Sequence, residues 1–225
     1  MELQRYLSRD IIRYMDVETN VSVAATVPEV SALPKLEPRK LTDPRAMRAV
    51  AHPVRIALLE VLGSEGPLTA TQAGELIGES PTTCSFHLRQ LAKYGFIEEV
   101  AGVAGRKRPW RLVHTGLTFS DVSDDPETRL AATALNRVLH AFYLDRLKEG
   151  LALRRDTPTE WQKATGASEF LLYVTVEELH ELDEQMNALV KPFVERIGNP
   201  KKRPRGAAPI EVLFFAYPRP HHRTH

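Results

Sequence analysis

Between Thr42 and Gly95 apolar residues recur at helical spacing in four short runs, and the punctuation between the runs says where each helix starts and stops. Asp43 before Pro44 is an N-cap followed by a favoured first helical residue, and Ala46, Met47, Val50 and Ala51 follow at helical spacing. After the punctuation of His52 and Pro53, the run Val54, Ile56, Leu58, Leu59, Val61 and Leu62 reaches Gly63, read as its stop. This second helix is apolar on most faces and is expected to be the buried one. Thr69 with Gln72 forms a capping box, Ala73, Leu76 and Ile77 supply an inner face, and Gly78 ends the third helix. A fourth begins almost at once, with Ser80 as N-cap and Pro81 in the first turn, and it runs over 81–94 without an internal breaker. Two helices meeting across so short a turn predict a helix-turn-helix. Residues 96–100 and 110–114 then read as two strands joined by a loop that holds Gly102, Gly105 and the basic run Arg106, Lys107 and Arg108, a hairpin with a charged tip.

The flanking regions have a different texture. Residues 1–40 combine a short helical segment over 2–15 with a stretch holding Pro28, Pro34 and Pro38, read as an N-terminal extension and linker. Asp124, Asp125 and Pro126 open a long helical pattern over 126–154, with Ala131, Leu135, Val138, Phe142 and Leu147 on one side. A short segment around Trp161 leads to a predicted strand over 170–174. Thr175 with Glu178 caps another helix running to about Ile197, and residues 210–217 read as a second strand. The expected class is α+β, mainly α with small β hairpins. The expected division is 1–40 extension, 41–117 winged helix-turn-helix, 118–217 dimerisation and ligand region with two short strands, and 218–225 tail.

Composition removes several classes. No stretch approaches the roughly 18 apolar residues of a membrane span, and the first ten residues lack a secretory signal, so a cytoplasmic protein with no membrane partner is expected. The single cysteine, Cys84, excludes an intramolecular disulfide and a thiolate metal site built from this chain alone. A net charge of +1 conceals two basic clusters, one at Arg106, Lys107, Arg108 and Arg111, the other at Lys201, Lys202, Arg203 and Arg205.

Sorting residues 81–94 by the 100° step of a helix separates an inner stripe, Cys84, Leu88 and Leu91, from an outer side. Thr82, Thr83, Phe86, Arg89, Gln90 and Lys93 project outward, with Ser85 and His87 on the flanks. Hydroxyls, an amide and a guanidinium are the groups that read base edges: Arg pairs with guanine acceptors, Gln with adenine, and Thr or Ser with bases or phosphates. Phe86 would suit a thymine methyl or a sugar. A plain solvated helix face normally mixes acids with bases, yet no acidic residue occurs between Ser80 and Phe96. The basic hairpin tip, with Arg111, would add phosphate or minor-groove contacts. Double-stranded DNA is therefore the expected partner, with Thr82, Thr83, Ser85, Phe86, His87, Arg89, Gln90, Lys93, Arg106, Lys107, Arg108 and Arg111 as the contact set.

The blocks AMRAVAHPVRIALLEVL, PLTATQAGELIGESPTTCSFHLRQLAKYGFIEE and GRKRPWRL, between Met47 and Arg111, resemble the ArsR-type winged-helix repressors over about a third of the chain. The most specific parts are Ser85, His87, Leu88, Leu91 and Gly95, and the A-H-P-x-R start from Ala51 to Arg55. The resemblance implies a homodimer, each protomer's helix and wing taking one half-site, with repression relieved by a signal. The region beyond about residue 120 resembles an appended part of actinobacterial relatives. Metal-sensing members place cysteines on the helix before the recognition helix, and residues 69–78 contain neither Cys nor His. No metal and no cofactor are expected, Cys84 is read as a small apolar packing group, and His52 and His87 as local hydrogen-bonding residues. His180 with its acidic neighbours reads as a solvated face, and the tail His221, His222 and His225 as adventitious ligands.

Phe142, Tyr143, Trp161, Phe170, Leu172 and Tyr173 read as core packing, with a small apolar effector pocket as the alternative. No nucleophile elbow, phosphate-cradling glycine loop or H-E-x-x-H occurs, so no enzyme is expected. The rival class is a winged helix that binds a protein, which would have no need of Arg89, Gln90 and the basic tip.

Overall fold

The computed structural model describes residues 35, 37–101, 108–197 and 199–219. Its first element, β1 (Arg39–Lys40), lies within the stretch read as linker. Helix α1 (Pro44–Val50) starts as the Asp43–Pro44 pair predicts, the Asp43 carboxylate accepting the Arg45 N–H at 2.8 Å. His52 is the N-cap of helix α2 (Pro53–Ser64), and its Nδ1 accepts the Val54 N–H at 3.2 Å. Gly63, expected to stop this helix, lies inside it. In α3 (Ala70–Ile77) the Thr69–Gln72 capping box forms as read, and Gly78 closes the helix at φ 71°, a left-handed conformation that favours glycine.

Only Gly78 and Glu79 separate α3 from Ser80, the N-cap of α4 (Pro81–Lys93), and the turn is tied from both sides. The Gly78 and Glu79 N–H groups both donate to the Gly74 carbonyl, and the Ser80 hydroxyl accepts the Thr83 N–H at 3.0 Å. Gly74 has to be glycine for a packing reason: a Cβ there would lie 2.5 Å from the Glu79 carbonyl oxygen.

After Gly95, β2 (Ile97–Glu99) pairs antiparallel with β3 (Trp110–Leu112), Ile97 opposite Leu112 and Glu99 opposite Trp110. Leu68 exchanges two backbone hydrogen bonds with Trp110 and widens the hairpin on its other edge. β4 (Leu117–Thr118) runs parallel to β1. Arg39 fastens this second pairing to the domain, donating to the Tyr94 carbonyl at 2.5 Å with its guanidinium 4.5 Å from the Phe96 ring centre.

One core joins these parts. Met47 and Val50 of α1, Leu58 of α2, Ala73 of α3, Cys84, Leu88 and Leu91 of α4 and Ile97 of β2 are buried together with Leu135. Each fully buried large aliphatic side chain contributes roughly 1.5–3 kcal/mol. Leu135 belongs to α5 (Pro126–Leu153), whose Ala131, Ala132 and Leu135 close the core against α1 while Arg48 and Glu127 pair at 2.5 Å outside it. Small alanines at this contact let the two helix backbones approach. Helix α2 buries Ile56, Leu58 and Leu62 only, so the core is shared among helices rather than centred on it.

Beyond Leu139 the chain leaves this core. Leu147, expected on the inward side of α5, is exposed, as are Leu144 and Leu151. Arg146 forms ion pairs with Glu60 of α2 and, at 3.2 Å, with Glu211, which brings the segment around 211 alongside α5. Phe215 meets His140 edge-on at 5.8 Å. A 3₁₀ turn (Arg154–Asp156), α6 (Thr159–Ala164) and α7 (Val176–Val194) follow, the last with its Thr175–Glu178 capping box intact.

Residues 170–174 and 210–217 join no sheet, and Phe170, Leu172 and Tyr173 are exposed rather than core or pocket lining. Their composition suits a strand, but a strand exists only where another strand accepts its backbone groups, and neither segment has one among the described residues.

Candidate nucleic-acid interface

Helix α4 owes its orientation to its inner stripe. Cys84, Leu88 and Leu91 are fully buried, which fixes the rotation of the helix and sends the opposite face outward. On that face Thr82, Phe86, Arg89 and Lys93 are exposed, and Gln90, Thr83 and Ser85 are half-buried. Phe86 keeps 53% of its surface exposed, a large apolar group standing among polar ones. Arg89 bonds back along its own helix, Nε to the Ser85 carbonyl at 3.1 Å, an arrangement that holds its side chain along the surface. Lys93 lies with Nζ 5.7 Å from the Tyr94 ring centre. Thr83 shares its hydroxyl with Ser80 at 2.8 Å, so it helps to cap α4 as well as facing outward.

His87 departs from the expected set. It is only 8% exposed, not on an open flank, and it lies against His52 with ring centroids 4.5 Å apart. Its Nδ1 has no hydrogen-bond partner among the described residues, so the local hydrogen bond expected of it is not made there. Helical periodicity places residue 87 beside the exposed face; only the docking of α2 under α4 covers it. His52, read as punctuation, thereby acquires a second contact, and Arg55 joins the same cluster, its Nε also buried without a partner among the described residues. Burial holds both imidazoles below the ordinary histidine range, and the Arg55 charge adds to the effect. The Cys84 thiol is pushed up to about 11, chiefly by burial, which suits the apolar packing role read for it.

In the wing, Arg108 pairs with Glu99 at 3.0 Å and Arg111 with Glu98 at 2.6 Å. The strand register causes the second of these: Glu98 stands opposite Arg111, so acid and base share one face of the hairpin. Arg108 is exposed and its ion pair is of the weak surface kind; Arg111 is more enclosed. Arg106 and Lys107 lie outside the described residues, as do the tail histidines. Among the described residues no group of three or more His, Cys, Asp or Glu side chains is arranged to hold a metal ion, and no helix is long and apolar enough to cross a membrane.

Comparison with known proteins agrees with this geometry. An uncharacterized HTH-type transcriptional regulator, y4tD of Sinorhizobium fredii (strain NBRC 101917 / NGR234), is 25% identical to this chain over 163 residues, covering 70% of the chain and 87% of the relative. Residues 50–100, from the end of α1 through β2, match the family model described as a helix-turn-helix domain. With α3 and α4 joined across the Gly78 turn, and the hairpin following directly, this part of the chain is a helix-turn-helix domain carrying a wing.

Proposed function

We propose that this chain is a sequence-specific, DNA-binding transcriptional regulator of the ArsR type, acting in the cytoplasm as a repressor and a homodimer, and not an enzyme. The observation that carries the reading is the outer face of α4: Thr82, Phe86, Arg89, Gln90 and Lys93 with no acidic residue from Pro81 to Gly95, on a helix whose rotation is set by a fully buried inner stripe. In this reading α4 enters the major groove, where Arg89 and Gln90 read base edges, and Thr82, Thr83 and Ser85 contact bases or phosphates. The wing, residues 101–111, lies on the backbone or in the minor groove, with Arg106, Lys107, Arg108 and Arg111 supplying cations. His87 drops out of the contact set and becomes a support beneath it. The relative's description as a transcriptional regulator is in keeping with this role. A small-molecule effector would act through the region beyond residue 118.

The pairing of both described wing cations with Glu98 and Glu99 favours a second reading, a protein-binding winged helix, because a neutralised wing attracts phosphate less strongly. Selection of bound duplexes from a random pool separates the two. A DNA regulator enriches a two-fold-symmetric consensus and binds it roughly a thousandfold or more tighter than scrambled DNA. Removing charge at Arg106, Lys107 and Arg108 together then weakens all duplexes alike, whereas Arg89→Ala or Gln90→Ala changes which sequence is preferred. Absence of enrichment would favour the protein-binding reading.

A further inference from the structure

We propose that α7 is an intermolecular helix, pairing antiparallel with α7 of a second copy of this chain. The proposal supplies an interface for the homodimer of the preceding section, on which it rests for its choice of partner, and it is tested without DNA.

Helix α7 is 19 residues long, has its capping box in place, and buries none of its residues. No described helix or strand packs extensively along it. Its apolar residues nevertheless form a seam: Leu179, Leu182, Met186, Leu189 and Phe193 follow one another at steps of three, four, three and four. That is the a/d repeat of a helix made to lie against another helix. Leu179, Leu182 and Met186 are half-buried, while Leu189 and Phe193 are 68% and 60% exposed, so the seam opens to solvent toward its C-terminal end, a cost to solubility that an isolated helix has no reason to carry.

Charge selects the partner and its direction. The first half of α7 is acidic, with Glu177, Glu178, Glu181, Asp183 and Glu184. The cations come later, at Lys191 and Arg196 and then Lys201, Lys202, Arg203 and Arg205, with Glu195 the exception and already paired to Lys202 at 3.0 Å. In a parallel pair Glu178 would face the partner's Asp183 across the seam, twice by symmetry, a repulsive arrangement. An antiparallel pair separates these acids and sets each acidic half against the cationic end of the other copy. One chain thus carries both halves of a self-complementary surface, as a two-fold interface requires.

The seam sets Met186 beside the partner's Leu189 and Leu182 beside the partner's Phe193. The test uses the full chain without DNA. Met186→Glu should raise the monomer–dimer midpoint by at least roughly a hundredfold in sedimentation, since it buries an unpaired charge, while the thermal melt of the helix-turn-helix core stays unchanged. On mild oxidation the double variant Leu182→Cys/Phe193→Cys should form disulfide-linked dimers, and neither single variant should. Cross-linking by each single variant would mean a parallel pair and overturn the proposal, as would a monomeric wild type or a dimer indifferent to Met186→Glu. A persistent dimer still selecting a symmetric operator would leave the regulator reading standing and remove only α7 as its interface.

Discussion

The imidazole rings of His52 and His87 lie 4.5 Å apart and tilted by 38°, joining the N-cap of α2 to the underside of α4. His52 caps α2 through Nδ1, and His87 stands on α4 directly behind Phe86, whose ring it meets edge-on at 5.2 Å. The pair couples the base of the domain to its outer face.

Protonation of either ring is opposed by burial and by Arg55, and for His87 also by His52, while Glu79 acts in the opposite sense. A histidine held below its ordinary range binds its proton in the unfolded chain first, so stability is complete above the ordinary value of about 6.5 and is lost as pH falls below it. A protonated His52 Nδ1 also ceases to accept the Val54 N–H. The melting temperature should therefore drop on acidification from about pH 7.5 to about 5.5, the interval that spans the ordinary histidine value. His52→Asn, which keeps an N-cap acceptor without the titration, should melt like wild type at the upper pH and lose less at the lower. A wild-type melting temperature flat across this range would contradict the coupling.

Gly74→Ala tests the tightness of the turn. Its methyl group would meet the Glu79 carbonyl oxygen at 2.5 Å and the Cys84 sulfur at 3.4 Å, and the first of these is backbone that cannot swing away. Separation of α3 from α4 should cost about 1–3 kcal/mol in denaturant unfolding. Gly66→Ala, with nothing within 4 Å but a φ of 86°, is a control for conformational strain without crowding.

Cys84 should be inert in the native protein. It is fully buried and its thiol is pushed up to about 11, so thiolate is scarce near neutral pH. A chromogenic disulfide reagent should react only after denaturant is added, and rapid native labelling would show that α4 opens more readily than its packing implies. Cys84→Ser should destabilise by about 1–3 kcal/mol through a hydroxyl buried in an apolar stripe.

Glu99→Gln should strengthen the DNA binding proposed for this chain. The change releases Arg108 from an exposed ion pair of 3.0 Å and removes an anion from the wing. Affinity for all duplexes should rise by roughly two- to fivefold and the salt dependence should steepen. Unchanged binding would take Arg108 out of the contact set.

Local features could be read from the order of residues alone. Asp43, Thr69, Ser80, Asp125 and Thr175 bond to backbone groups two or three residues away, so their caps could be read directly, and a 100° step sufficed to find the buried stripe of α4. The hairpin was equally legible, because its strands are close in sequence. Tertiary structure decided whatever depends on a distant partner. It buried His87 under His52, held Arg111 against Glu98, tied β1 to β4 across some eighty residues and left residues 170–174 and 210–217 without a sheet. A side chain's period along one helix says which way it points, but not what the rest of the chain will lay against it.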